Sequence, residues 1–402
     1  MRYKQFLIIA LFVLALLLYL ILVMLSDFLS QIIIYLIIVA VLFAIYIFFV
    51  FLVLNNTNKI GLHLGWFILF ALLARLILFP TQPLLSENVY PVLGGSLLSW
   101  KIILLMVEVA LAFILLKLIK HFSLSEYRLV ILICNPLIII ETYHSAHFDI
   151  IALTFFWLGI LTFYKHRDRL ALGAWISALL IKFVPIIMAL PFLIKKLWRK
   201  LFFILIAYVA IIVTFILTHT IPMSDIFSDV NQPSFNGAIF KSITFILDIF
   251  NLPAGELGRL HLHTHTEIFY LDNEFYYKVL AAIVFVIIIF DQFRKLKSTA
   301  DYRSINYIQA SFIITGSFLL LTTTLYPWYV IVIIPFLIFI PNWSWLIFTF
   351  LIQLSYFVLQ NYALYGVWKE STWVLLVEYI PFYLLLVFEY LDPRKIKGWF
   401  LE

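Results

Sequence analysis

The segment Asn135-Pro136-Leu137-Ile138-Ile139-Ile140-Glu141-Thr142-Tyr143-His144-Ser145-Ala146-His147-Phe148-Asp149 places two imidazoles and two carboxylates close together in apolar surroundings. Side chains of these types move protons, bind hydroxyls or ligate a divalent metal. The spacing of Glu141, His144, His147 and Asp149 specifies no metal geometry, so the leading reading is an oriented polar cluster that contacts a substrate. The plain alternative is a solvated turn between two helices. Lys182 lies in Leu179-Leu180-Ile181-Lys182-Phe183-Val184-Pro185. Proline removes a backbone donor and breaks helices, which predicts a helix break beside Lys182. A compact ammonium at such a break can neutralise a phosphate; the alternative is a lysine that snorkels to the membrane interface. His261, His263 and His265 alternate with other residues ahead of Glu267. On an extended strand they would share one face, which permits a metal without requiring one.

These residues must be carried by membrane helices. The chain has 402 residues, 65% hydrophobic and 12% charged, whereas a soluble domain carries about 25% charged residues. Phe6–Leu25 and Ile32–Leu54 contain no charge, and each is long enough to cross a hydrocarbon core of about 30 Å as a helix. The fold class predicted is all-α: a single integral membrane domain over 1–402, with about twelve transmembrane helices. The spans are Phe6–Leu25, Leu29–Leu54, Leu62–Phe79, Ile102–Ile119, Arg128–Tyr143, His147–Tyr164, Leu201–Thr218, Tyr276–Phe293, Ile305–Leu325, Trp328–Ile340, Trp343–Gln360 and Thr372–Leu391. The first apolar stretch follows Arg2 and Lys4, but it is too long for a signal peptide and no small-residue cleavage site follows, so it reads as a retained helix.

Leu170–Ile194 is read differently, as a broken re-entrant helix pair. A single crossing there would put Lys195, Lys196, Arg199 and Lys200 outside and invert every later loop. With the re-entrant reading, 20 of the 27 lysines and arginines fall on the cytoplasmic side, as the positive-inside rule requires. Both termini are then cytoplasmic. The outer face receives a short first loop over 80–101, the turn Tyr143–His147, a long loop over 220–275, Tyr326-Pro327-Trp328, and Asn361–Ser371.

Ionisable groups inside a membrane are costly and face a cavity or a partner. Arg75, Glu108, Asp149, Lys182 and Glu378 lie within apolar stretches, with Glu141 and Glu389 nearer helix ends. Arg75, Glu108, Asp149 and Glu378 fall in the outer part of their spans, which suggests one cavity open to the outside. The competing reading is pairwise neutralisation, Arg75 with Glu108 for example. One cysteine, Cys134, rules out an internal disulfide. No Walker-type or Rossmann-type glycine motif is present, and the net charge of +6 follows topology rather than nucleic-acid binding.

Several blocks, in order from about residue 62 to 391, resemble the polytopic glycosyltransferases of the GT-C superfamily, and bacterial mannosyltransferase-like members in particular. They are Arg75–Pro80 with Pro83-Leu84-Leu85-Ser86-Glu87-Asn88, Tyr90-Pro91, Trp100-Lys101, Asn135-Pro136 with Glu141 and His147-Phe148-Asp149, and Lys182-Phe183-Val184-Pro185 with Leu190-Pro191. Further along come Ser234-Phe235-Asn236-Gly237, Tyr326-Pro327-Trp328-Tyr329, Ser355-Tyr356 and Glu378-Tyr379-Ile380-Pro381-Phe382. The resemblance implies a bacterial inner-membrane enzyme that moves a hexose, such as mannose, from a polyprenyl phosphate to a glycan, lipid or protein acceptor outside the cytoplasm. It implies Glu87 as base, with Asp149 or Glu141 able to replace it, and Lys182 and Arg75 as phosphate contacts. His144, His147 and Asp149 would contact donor or acceptor, and Tyr326, Trp328 and Tyr329 would line the sugar pocket. No metal site is assigned and no cofactor is required, although a divalent metal is compatible. The chain departs from the family pattern in its first outer loop: Glu87-Asn88 stands where an Asp pair is usual, no Trp-Asp-Gly follows, and the loop is short. The alternatives kept are a non-catalytic GT-C-like subunit or scaffold, and a transporter or lipid flippase.

Overall fold

The protein is seen in a computed structural model that describes residues 2–25, 31–55, 63–81, 96–193, 206, 234–261, 266–297 and 304–391. Nearly all of these are helical. The chain divides into two compact units, one formed by Met1–Pro185 with Tyr326–Glu402 and the other by Ile186–Leu325.

The first unit begins with α1 (Arg2–Met24), α2 (Ile32–Asn55), α3 (Leu64–Leu78) and α4 (Leu97–His121). The first three pack through interlocked aromatic rings, with Phe12 stacked on Phe70 at 4.7 Å and edge-on to Phe49 and Phe67. The other faces of these helices and of α4 carry large exposed apolar side chains such as Ile37, Phe51, Met106 and Phe113. That surface suits lipid and not water.

The chain then fragments. A 3-10 turn (Glu126–Leu129) leads to α5 (Val130–Ile133), α6 (Pro136–Ile139) and a π-turn (Ile140–His144). Asn135 causes the break: its side-chain oxygen accepts from the Leu137 backbone N–H at 2.9 Å, and Pro136 behind it has no N–H to continue the previous helix. Ala146 then takes a left-handed φ of 62°, so the next helix, α7 (Asp149–Tyr164), starts at Asp149. α8 (Asp168–Ile181) folds back on it. Lys182 ends α8 in extended backbone (φ −147°, ψ 150°). The boundary between the units falls inside the following α9 (Val184–Phe192).

Gly159 sets the α7–α8 spacing. A Cβ there would lie 2.8 Å from Cε2 of Trp175 and closer still to other indole atoms. The indole is pinned by its own hydrogen bond to the Phe156 carbonyl at 3.2 Å. Gly159→Ala therefore overpacks the hairpin and is expected to cost about 1–3 kcal/mol. A lowered thermal midpoint in detergent checks this, and an unchanged midpoint would show that Trp175 yields freely.

The second unit contains α10 (Ala238–Ile249), a hairpin of β1 (Gly255–His261) and β2 (Thr266–Leu271), α11 (Asn273–Lys297) and α12 (Ile305–Leu321). Phe235 exchanges backbone hydrogen bonds with the end of this unit, its N–H donating to Thr323 O at 3.2 Å and its carbonyl accepting from Leu325 N at 2.8 Å. Gly237 must be glycine there, because a Cβ would sit 2.7 Å from the Thr323 carbonyl oxygen. The Tyr277 hydroxyl closes the unit by donating to Leu321 O at 2.8 Å.

The first unit resumes with a 3-10 run (Pro327–Ile333), α13 (Ile334–Leu337), α14 (Trp343–Leu351), a 3-10 turn (Ile352–Phe357), α15 (Val358–Tyr365) and α16 (Thr372–Leu391). Glu389 of α16 caps α14: its carboxylate accepts from Trp343 N and the Asn342 amide, each at 2.6 Å, and from Ser344. A carboxylate is stable at this helix end because unpaired N–H groups and the helix dipole both face it.

The helical membrane class stands, but the count of twelve spans does not. Among the described residues, five stretches are long and apolar enough to cross: Gln5–Met24, Ile32–Asn55, Leu97–His121, Trp343–Tyr365 and Thr372–Leu391. Arg128–Tyr143 is cut at Asn135, Trp328–Ile340 divides into a 3-10 run, one α-turn and a bend, and α3, α7 and α12 have only 15, 16 and 17 residues. A 16-residue helix reaches about 24 Å, short of a hydrocarbon core of about 30 Å. The span Leu201–Thr218 lies outside the described residues apart from Ile206. The strand pair within 220–275 was not expected as a hairpin, although the alternation of His261, His263 and His265 ahead of Glu267 fits extended backbone at its ends.

Candidate functional site

The antiparallel α7–α8 hairpin sets Asp149, at the start of one helix, against Lys182, just past the end of the other. Lys182 Nζ lies 2.9 Å from Oδ1 and 3.0 Å from Oδ2 of Asp149. The aspartate side chain is 3% exposed and the lysine 19%, so the cation is the member within reach of a ligand. Its ammonium also lies over two rings, 4.8 Å from Phe148 and 5.5 Å from Tyr329. Aromatic faces favour a cation at these distances.

Beside this pair stands a column of rings. His147 stacks on Trp328 at 4.2 Å with a 20° tilt, and Trp328 stacks on Tyr326 at 4.5 Å with a 6° tilt. Tyr329 meets both Tyr326 and Trp328 edge-on. Tyr326-Pro327-Trp328-Tyr329 achieves this because Tyr326 is extended and Pro327 opens a tight 3-10 turn.

Behind the column, Glu141 is fully buried. Tyr356 donates to both of its oxygens, at 2.9 and 3.0 Å, and His147 Nε2 is 3.7 Å away. Among the described residues, both ring nitrogens of His147 and Nε1 of Trp328 are buried without a hydrogen-bond partner. Buried polar atoms are nearly always paired in folded proteins, so these three are open to hydrogen bonds from a bound molecule or water.

The structure thus gathers Glu141, His147, Asp149, Lys182, Tyr326, Trp328 and Tyr329 in one neighbourhood. His144 is buried in the π-turn just before it. Arg75 goes elsewhere: its guanidinium forms a two-pronged pair with Glu108, and its Nη1 donates to Ala71 O and Ile133 O at 2.7 and 2.9 Å. An apolar groove of about 220 Å³ runs over that pair, lined by residues such as Leu72, Leu105 and Val109. Glu87 lies outside the described residues, as do His263 and His265. Among the described residues no three His, Cys, Asp or Glu side chains come together as a metal site.

Sequence reasoning missed Tyr356 as a site residue, as well as Tyr143, Trp100 and Lys101. Trp100 Nε1 donates to Ala146 O at 3.2 Å, bracing the turn before His147. Lys101 is fully buried and binds the carbonyls of Leu78, Phe79 and Thr81 at 3.0, 3.2 and 2.6 Å, closing the end of α3. The Trp100-Lys101 pair was visible as a block, but nothing local distinguishes a buried lysine that satisfies carbonyls from one at the interface. Tyr356 stood in a block that the resemblance picked out, but with 22 tyrosines in the chain nothing in its own surroundings linked it to Glu141.

The fold and site define a helical integral membrane protein with a buried acid–histidine cluster beside a part-exposed lysine. No protein-family model matches the chain, and neither a curated protein nor a solved structure does.

Proposed function

We propose that this protein is a membrane glycosyltransferase that moves a hexose, such as mannose, from a polyprenyl phosphate to a glycan, lipid or protein acceptor. The reaction takes place on the non-cytoplasmic face, with both termini in the cytoplasm of a bacterial cell. One observation carries the reading: a lysine held by a buried aspartate adjoins a stacked His147–Trp328–Tyr326 column with unpartnered polar atoms. Stacked rings offer a flat apolar face to a sugar ring, while the free N–H and ring nitrogens meet its hydroxyls. Lys182 meets the donor phosphate.

In the reaction the acceptor hydroxyl oxygen bonds to the anomeric carbon, and the bond from that carbon to the phosphate oxygen breaks. The polyprenyl phosphate leaves with the electron pair, stabilised by Lys182. The hydroxyl proton passes to a carboxylate, either Asp149 in the described site or Glu87 from the first outer loop. Glu141, held by Tyr356, places a carboxylate 3.7 Å behind Nε2 of His147.

The test is transfer of radiolabelled hexose from defined polyprenyl-phosphate donors in membranes, comparing the natural chain with Asp149→Asn and Glu87→Gln. Loss of transfer by about 100-fold or more, the scale of removing a general base, identifies the proton acceptor. Full activity in both variants removes both carboxylates from the mechanism. Absence of transfer from every donor with the natural chain favours a non-catalytic subunit.

A further inference from the structure

The proposed transfer leaves a buried ion pair unexplained. Arg75 and Glu108 are each 3% exposed. Nε of Arg75 donates to Oε2 of Glu108 at 2.8 Å, and Nη2 donates to Oε1. Besides a bond from Nη1 to the Ala71 carbonyl on its own helix, the pair's remaining hydrogen bonds go to one segment. Nη1 reaches the Ile133 carbonyl at 2.9 Å, where α5 ends. Oε2 accepts from the Tyr143 hydroxyl at 2.5 Å, inside the π-turn. Phe79 stacks on the Tyr143 ring at 5.9 Å, and the guanidinium lies 5.5 Å from that ring's centre. The pair therefore grips both ends of the stretch that carries Glu141 and leads to His147 and Asp149.

We propose that Arg75, Glu108 and Tyr143 are positioning residues: the ion pair holds the interrupted helix and its π-turn in the one register that sets Glu141 and His147 against Tyr356 and Trp328. The proposal rests on the reading of the site given above. A π-turn carries one more residue than the α-helix it interrupts and occurs mostly where function needs it. Relaxing it to α-helix shifts the register by one residue, which rotates the side chains that follow the turn by about 100° and turns His147 away from Glu141 and Trp328. Arg75 does not act as a phosphate ligand in this arrangement, because all three of its nitrogens already donate to protein oxygens.

Tyr143→Phe tests this cleanly, since it keeps the ring and its stack on Phe79 and removes only the hydroxyl. Cys134, the single cysteine of the chain, is buried at the break inside the gripped stretch, so its alkylation by N-ethylmaleimide in membranes reports whether the stretch opens. Tyr143→Phe is expected to raise the alkylation rate and lower kcat, each about tenfold, the scale of one hydrogen bond to a charged group, with the donor KM little changed. Tyr277→Phe, which loses a comparable hydroxyl bond in the other unit, is expected to change neither. Unchanged Cys134 alkylation in Tyr143→Phe overturns the clamp, and faster alkylation with unchanged kcat overturns its positioning role. If Tyr143→Phe does not accumulate, Arg75→Lys keeps the charge, loses the fork and is read the same way. Alkylation needs no substrate, so faster labelling in the variant together with no transfer by the natural chain sinks the glycosyltransferase reading and leaves the clamp standing.

Discussion

Replacing Lys182 with alanine is expected to lower kcat/KM for a polyprenyl-phosphate hexose by about 100- to 1000-fold, the loss typical of removing one preorganised donor from a developing charge. Lys182 is the part-exposed member of its pair and lies over Tyr329, which borders the ring column. A phosphate arriving there exchanges one anionic partner for another, so the cation need not be desolvated anew. The substitution also leaves Asp149 buried with its charge uncompensated, which is destabilising in its own right. The double variant Lys182→Ala/Asp149→Ala separates the two effects: it is expected to recover the stability lost by the single change and none of the activity. Thermal midpoints in detergent, read beside initial transfer rates, check both halves. Near-natural transfer by Lys182→Ala would remove the lysine from the mechanism.

The second large effect concerns stability. Arg75→Leu is expected to destabilise the first unit by about 3–5 kcal/mol, because it strands a buried carboxylate. Glu108 would keep the Tyr143 hydroxyl as a partner but lose both guanidinium contacts, and Ile133 O would lose its donor. Substituting both members, Arg75→Leu/Glu108→Leu, is expected to restore most of the loss, since a well-packed apolar pair replaces buried ions at little net cost. The relevant measurement is the difference in unfolding midpoint among the three variants. If the single and double variants are equally unstable, the charge imbalance is not the cause.

These pairings mark where the sequence could be read and where it could not. Uninterrupted apolar stretches such as Phe6–Leu25 and Ile32–Leu54 have one physical outcome in lipid, because helices satisfy every backbone hydrogen bond internally. The helix break at Lys182 was legible for a similar reason: Pro185 withdraws a backbone donor at a fixed place in the chain. Asn135-Pro136 carried the same kind of signal, yet the stretch was read as one crossing, since hydropathy alone does not distinguish an α-helix from a chain of 3-10, α and π turns. This stretch is one of the seven by which the expected twelve exceed the five found among the described residues.

Residue types alone determined that this is a helical membrane protein with a few costly polar groups, because burial in lipid penalises every charge whatever its partner. Apart from Arg75 with Glu108, a pairing the apolar setting already suggested, which charge met which partner was decided only in three dimensions. Lys182 and Asp149 are 33 residues apart, as are Arg75 and Glu108, while Glu141 finds Tyr356 across 215 residues. No local pattern encodes such distances; the packing of short, interrupted helices does, and it assigns Lys182 to the site and Arg75 to its scaffold.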